Sequence, residues 1–428
     1  MRTREPPSST EGEPSDLPEH TGGTWSVLRY SGFTRLFIST AVVVFGVVGQ
    51  GVARGWLARD LTGTNTGLGG VMLAFGVAML VSTPLGGVAA DRFPKRAVLI
   101  GAVVVLGVSS LWIGIAVETG TVTYWMLLIA SALQAGAFAF YIPARIAFLS
   151  DLVDAGSIED AVVLSQISGE AMRVIAPALA GALVGAAWFG VGGVFLLAGA
   201  LAGISVVILL GVPRGTPHGR VHGSPFDDLV DAIRYVRASH ALTLLALTTI
   251  GVVMIGYPYM TFLPSVATTM LDVGAGGYGL MSAIAGLGAV LGGVFVIYRP
   301  PRRDPWRAIF LSGLTFGVAL IALGLSPSFG VVLAVLLVVG ATGLIVQTTS
   351  QSLVLTLSDF EYHGRLQGMV VLGFSGFGLA ALPLGIVADT VGLRSTLAGM
   401  GVVVLVIMAG FGIAHARRPS VSPPVDLG

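Results

Sequence analysis

Glu170 stands in an otherwise apolar stretch, with Gln166 one helical turn before it and Arg173 three residues after. A carboxyl at membrane depth is expensive to ionise, so it serves either as a proton carrier or as half of a permanent ion pair. Arg54 lies in another apolar stretch, four residues after Gln50. Glu170, Arg54 and Arg173 are therefore the proton-coupling candidates. Asp60, Asp272 and Asp389 are rivals, but each falls near the end of an apolar stretch, within reach of water. A second constellation runs Gly87-Val88-Ala89-Ala90-Asp91-Arg92-Phe93-Pro94-Lys95-Arg96. Gly87 lets two helices approach closely. Asp91, at a helix end, can meet the positive N-terminus of a neighbouring helix. Arg92, Lys95 and Arg96 can pair with facing carboxylates. Such contacts form a latch that holds one end of a helical bundle shut in one state and breaks in another. Basic residues that merely set topology are the simpler alternative, and the complete pattern favours the latch.

The elements that carry these residues follow from composition. The chain has 428 residues, 54% hydrophobic and 11% charged, against about 25% charged in a soluble domain. Too few polar side chains exist to cover a soluble surface, and the chain reads as a polytopic membrane protein. A span needs about 20 apolar residues. Twelve such stretches occur, near 35–58, 67–90, 96–117, 123–149, 159–187, 189–211, 241–270, 276–298, 306–325, 329–356, 365–388 and 392–414. They are rich in Gly, Ala, Val and Leu, as closely packed membrane helices are. Residues 1–24 are polar and do not resemble a cleavable signal. With the N-terminus inside, 18 of the 23 Lys and Arg fall on the cytoplasmic side, and only Arg59 and Arg394 fall outside. The positive-inside rule then puts both termini in the cytoplasm.

The spans divide into two halves. Leu149-Ser150-Asp151 recurs as Leu357-Ser358-Asp359, and Gly86-Gly87-Val88 as Gly292-Gly293-Val294, at offsets of 208 and 206. The expected fold is an all-α membrane protein with twelve transmembrane helices in two pseudo-symmetric six-helix bundles, a construction common in secondary transporters. The expected divisions are a disordered tail over 1–30, bundles over 31–212 and 241–415, a linker over 213–240 and a tail over 416–428. Within the linker, Ser224 and Pro225 suit a helix start. Phe226, Leu229, Val230, Ile233 and Val236 then share one face of a short helix, either lying on the membrane surface or simply connecting the halves.

The 87–96 segment fits the loop motif G-x-x-x-D-R-x-x-[KR]-[KR] of the major facilitator superfamily. With Pro143-Ala144-Arg145, Arg173 to Gly181, Gly364-Arg365-Leu366-Gln367-Gly368, Trp56-Leu57 and Ile233-Arg234-Tyr235-Val236, the chain resembles the branch that holds the enterobactin exporters and macrolide efflux pumps. The resemblance covers residues 30–415 and implies the major facilitator fold. It further implies a multidrug-type antiporter, a proton-driven exporter of a small amphipathic or lipophilic molecule such as a drug, siderophore or secondary metabolite. Spans one and five are neighbours in that fold, which brings Arg54 within the candidates for pairing with Glu170. Spans one, four, seven and ten would line the cavity. Its candidates are Gln50, Gln134, Tyr141, Tyr257, Tyr259, Gln347 and Gln351, each also suited to interhelical hydrogen bonding. With few charges there, the expected substrate is neutral or lipophilic. The chain departs from the family where Ala176-Pro177-Ala178-Leu179-Ala180-Gly181 replaces the antiporter G-P-x-x-G-G. It departs again at Ser131, where many members carry Arg three residues before Gln134, and at the degraded second loop Tyr298-Arg299-Pro300-Pro301-Arg302-Arg303.

Enzymatic readings find only chance matches. Gly376-Phe377-Gly378-Leu379-Ala380-Ala381 fits a dinucleotide pattern but follows no strand. No Cys is present, no H-E-x-x-H or P-loop occurs, and none of the six His is placed mid-membrane. No cofactor or metal is expected. The expected partners are a small-molecule substrate, protons and the lipid bilayer, with no nucleic acid, and the chain is expected to act as a monomer in the bacterial inner membrane. A non-transporting sensor or a lipid flippase on the same fold is the alternative. The topology makes a direct prediction. In this Cys-free chain, Ser224→Cys should react with an impermeant thiol reagent only after the cells are opened; labelling of intact cells would reverse the orientation.

Overall fold

The computed structural model describes residues 24–186, 188–215, 225–298, 304–359 and 362–416. Residues 1–23 and 417–428 of the expected tails, Ser224 and the second loop at 299–303 lie outside the described residues, as do the side chains of Asp91, Gln166, Glu170, Arg173, Phe226 and Leu229. The expected disorder does not extend to residue 30: Thr24–Arg29 is a 3-10 helix, with Val27 buried against the first bundle.

Inside a bilayer every backbone polar group needs an internal partner, and a helix supplies one. The first bundle contains α1 (Ser31–Thr62), α2 (Asn65–Arg92), α3 (Lys95–Glu118), α4 (Tyr124–Leu149), α5 (Ile158–Gly185) and α6 (Gly190–Leu210). The linker forms α7 (Pro225–Ala238). The second bundle contains α8 (His240–Gly256), α9 (Tyr259–Ser265), α10 (Gly274–Tyr298), α11 (Pro305–Leu325), α12 (Phe329–Leu357), α13 (His363–Val391) and α14 (Leu393–Ala416). Helices α8 and α9, with a π-helical turn at Val266–Met270, make one span, His240–Met270. Among the described residues, ten spans are apolar and long enough to cross a membrane, and α5 and α13 add the apolar stretches Ile175–Gly185 and Gly376–Val391. The twelve-helix arrangement follows.

Local chemistry sets the turns. Gly63, in the left-handed region at φ 65°, closes α1, and the Thr64 hydroxyl accepts from the Gly67 N–H to open α2. Asp304 accepts from the Arg307 N–H, with Pro305 at the first helical position of α11. Span seven, continuous by composition, breaks at Tyr257-Pro258, because proline lacks the N–H that would continue the helix.

The repeat is visible in contacts. Tyr30 donates to Asp154 and Tyr235 to Asp359, pairs of identical sequence separation. Pro177 and Pro383 lie inside α5 and α13. Exposed Trp25 and Tyr298 flank one end of the bundles, and exposed Trp125 and Trp188 the other, as aromatic residues do at membrane interfaces. On α7, Ala232 and Val236 are buried, with Val236 against Leu242 and Leu366, while Val230 and Ile233 are exposed.

Candidate functional site

The two bundles meet along two seams, α2 against α13 and α5 against α10. Both are tight toward the end where α2 begins and α13 finishes. A Cβ on Gly181 would fall 2.0 Å from the Cα of Gly279, so only glycine permits that backbone approach. On the other seam a Cβ on Gly69 would fall 2.5 Å from the Ala381 carbonyl, and one on Gly378 would fall 2.4 Å from that of Met72. At the same end Asp389 of α13 reaches across. Its Oδ1 accepts from the Asn65 N–H at 2.8 Å and from Asn65 Nδ2 at 2.9 Å; its Oδ2 accepts from the Thr66 N–H at 2.8 Å and from Thr66 Oγ1 at 2.6 Å. A carboxylate thus closes the positive N-terminus of α2.

At the other end the loop motif makes a different kind of contact. Lys95 is 2% exposed, and its Nζ donates to both carboxylate oxygens of Asp151, at 2.8 and 2.9 Å. Arg96 donates to the Val212 carbonyl at 2.9 Å, and Arg35 donates to that of Gly211. These contacts tie α3, the loop after α4 and the end of α6 together inside the first bundle. Arg92 is exposed, and nothing stands within 4 Å of the place a Gly87 Cβ would occupy.

The amides and phenols divide between the bundles. Gln50 accepts from Ser110 Oγ at 2.8 Å and from Gln134 Nε2 at 3.3 Å, joining α1, α3 and α4. Tyr141 donates to Thr40 at 3.2 Å. All of these are buried in the first bundle, and Tyr259 is buried in the packing of the second. Tyr257, placed by the break in span seven, donates to the Gly343 carbonyl at 3.0 Å and to Gln347 Oε1 at 3.4 Å. Tyr257, Gln347 and Gln351 are partly exposed, and Gln351 follows Gln347 by one turn of α12.

Arg54 is 5% exposed. Its guanidinium carbon lies 5.8 Å from the Phe75 ring of α2, and its Nε is buried without a hydrogen-bond partner. Helix register bears on its relation to Glu170. Gly49 of α1 stands against Ala176 and Ala180 of α5. The two helices run parallel, so Arg54 stands roughly a dozen residues, about 18 Å at 1.5 Å per residue, beyond the level of Glu170. Sequence reasoning places the two on neighbouring helices; the register separates them in depth. Sequence reasoning also takes Asp389 only as a carboxylate within reach of water, since its partners are more than 300 residues away in the chain.

The pattern of the transmembrane secretion effector family, a branch of the major facilitator superfamily, matches residues 22–421. The chain is 24% identical over 383 residues to the MFS-type transporter YfiS of Bacillus subtilis, covering 81% of this chain and 85% of YfiS. It is 24% identical over 406 residues to the enterobactin exporter EntS of Salmonella choleraesuis, covering 92% and 95%. Its fold matches that of an inward-facing, unoccupied bacterial homologue of the human lysosomal transporter Spinster, with TM-score 0.73 at 15% identity, over 92% of this chain and 98% of that one.

The Lys95–Asp151 pair makes a stability prediction. Removing one partner leaves the other charge poorly compensated, at a cost of about 3 kcal/mol. Lys95→Met should lower the thermal midpoint in detergent, and Lys95→Met with Asp151→Leu should restore much of it. An unchanged midpoint in the single variant would make the pair energetically idle.

Proposed function

Because the chain belongs to the transmembrane secretion effector family, whose members are membrane transporters, we propose that it exports a small amphipathic or lipophilic molecule by alternating access, driven by protons. One observation carries the reading. The seams between bundles close at the Asp389 end, while the contacts described at the loop-motif end, from Lys95 to Asp151, Arg96 to Val212 and Arg35 to Gly211, tie together elements of the first bundle. With the basic loops inside, the closed Asp389 end supports the reading that this state is shut to the outside. The enterobactin-exporter name of EntS supports export over import.

In the opposite state the Asp389 contacts break and the loop-motif end closes. Asp91, at the end of α2, then lies where it can meet the start of α13. This mirrors the contact between Asp389, at the end of α13, and the start of α2. By the register of α5 against α1, residue 170 falls on the cytoplasmic side of residue 54. Glu170 is the carboxyl that would take up and release the driving proton as the state changes. Arg173, one turn away on α5, is the cation placed to modulate the exchange. Tyr257, Gln347 and Gln351 offer orienting hydrogen bonds on the second bundle's side of the path.

Proteoliposomes with an imposed pH gradient test this reading against a panel of amphipathic compounds. The wild type should accumulate a subset of the panel against its gradient. Glu170→Gln should abolish that accumulation while leaving downhill exchange within about twofold. Accumulation by the wild type that ignores the pH gradient, or uphill pumping by Glu170→Gln, would contradict proton coupling through this residue.

A further inference from the structure

Two cationic side chains are fully buried among the described residues, Lys95 and Arg54. Lys95 has Asp151 at 2.8 Å. Less buried arginines also find acceptors: Arg96 the Val212 carbonyl, and Arg394 that of Ser326 at 2.9 Å. Of the two buried cations, Arg54 is the one without such a partner. Among the described residues no carboxylate forms an ion pair with it and no acceptor takes a hydrogen bond from it. Its place makes this costly. Helix α1 has 32 residues, and Arg54 falls about 11 Å from its midpoint, inside a hydrocarbon core of about 30 Å. A lipid-facing arginine near a helix end extends its head group to the interface. Arg54 is 5% exposed, so it points into the protein instead.

The surroundings come from both bundles. Phe75 of α2 lies at one face of the guanidinium. Tyr278 of α10 approaches α1 so closely that a Cβ on Gly55 would fall 2.9 Å from its hydroxyl, and its ring stacks with Trp56 at 6.4 Å. The guanidinium therefore sits at the junction of the halves, beside aromatic rings, with its Nε–H unused. An unused guanidinium donor suits an oxyanion, and the neighbouring rings are of the kind that favour an apolar body attached to it.

We infer that Arg54 is an anion-binding residue at the junction of the two bundles, and that the cargo is an amphipathic molecule bearing a carboxylate or similar oxyanion on an aromatic or aliphatic body. This rests on the export reading for the statement that the anion is cargo, and it replaces the neutral substrate expected from composition.

The test compares 1-naphthoate, ionised at neutral pH, with the neutral 1-naphthamide of matched size. Both are titrated against the purified full-length protein in detergent without any gradient. The wild type should bind naphthoate at least about tenfold more tightly than naphthamide, the scale of one charge-assisted contact. Arg54→Gln should lose that preference and leave naphthamide affinity within about twofold, and Arg54→Lys should keep part of it. Equal wild-type affinities, or a full preference persisting in Arg54→Gln, would overturn the site. Should Arg54→Gln fail to elute as a single species, wild type against Arg54→Lys decides: an undiminished preference in the lysine variant contradicts bidentate recognition by the guanidinium. Because binding is read at equilibrium, its failure contradicts the anion site, whereas failure of gradient-driven accumulation contradicts the exporter reading alone.

Discussion

The closed end of this molecule depends on one carboxylate. Asp389 accepts four hydrogen bonds from Asn65 and Thr66, two of them from backbone N–H groups that the first turn of α2 cannot satisfy itself. The contact couples an acceptor of the second bundle to a helix end of the first. The glycine approaches of Gly69 and Gly378 extend along the same seam, so the carboxylate and the close packing reinforce one another. A charge at a helix N-terminus contributes roughly 0.3–1 kcal/mol, and up to ~2 kcal/mol when partly buried. That is strong enough to bias a two-state balance and weak enough to be broken in each cycle.

The other contacts hold each bundle as a unit. Lys95 with Asp151, Arg96 with Val212, and Gln50 with Ser110 and Gln134 all lie within the first bundle. In the second, Tyr257 bonds the Gly343 carbonyl, and Tyr235 of the linker helix bonds Asp359 while its ring stacks on Tyr362 at 3.8 Å. Stiff halves joined by small-residue seams suit rigid-body rocking about a site between them. Arg54, at the junction and without a partner among the described residues, is the point where a bound anion would sense both halves.

The fold was legible because its determinants are local. Apolar length marks the spans, Ser224-Pro225 marks the start of α7, and the recurrence of Leu-Ser-Asp marks the repeat. The site was legible only in part. Composition reads Asp389 as a carboxylate near water, because nothing in the sequence shows that it meets a helix end 324 residues away. Gln50 and Gln134 read as cavity amides, yet in this state they bond one another and Ser110 inside the bundle. The break at Tyr257-Pro258 had a visible signal in the proline, hidden by an apolar run that continues on both sides. The depth of Arg54 relative to Glu170 depends on packing register, which residue counting on separate helices does not supply.

The most direct test of the account measures distances at both ends. Because the chain has no Cys, spin labels can be placed at exposed positions, Thr121→Cys with Ser328→Cys at the Asp389 end and Ser150→Cys with Thr356→Cys at the loop-motif end. Pulsed electron paramagnetic resonance in lipid nanodiscs then reports each distance distribution with and without Asp389→Ala. The account predicts that Asp389→Ala moves population toward longer distances in the first pair and shorter distances in the second, by roughly two- to thirty-fold in the ratio of states. Distributions unmoved by loss of the carboxylate, or both ends opening together, would contradict it.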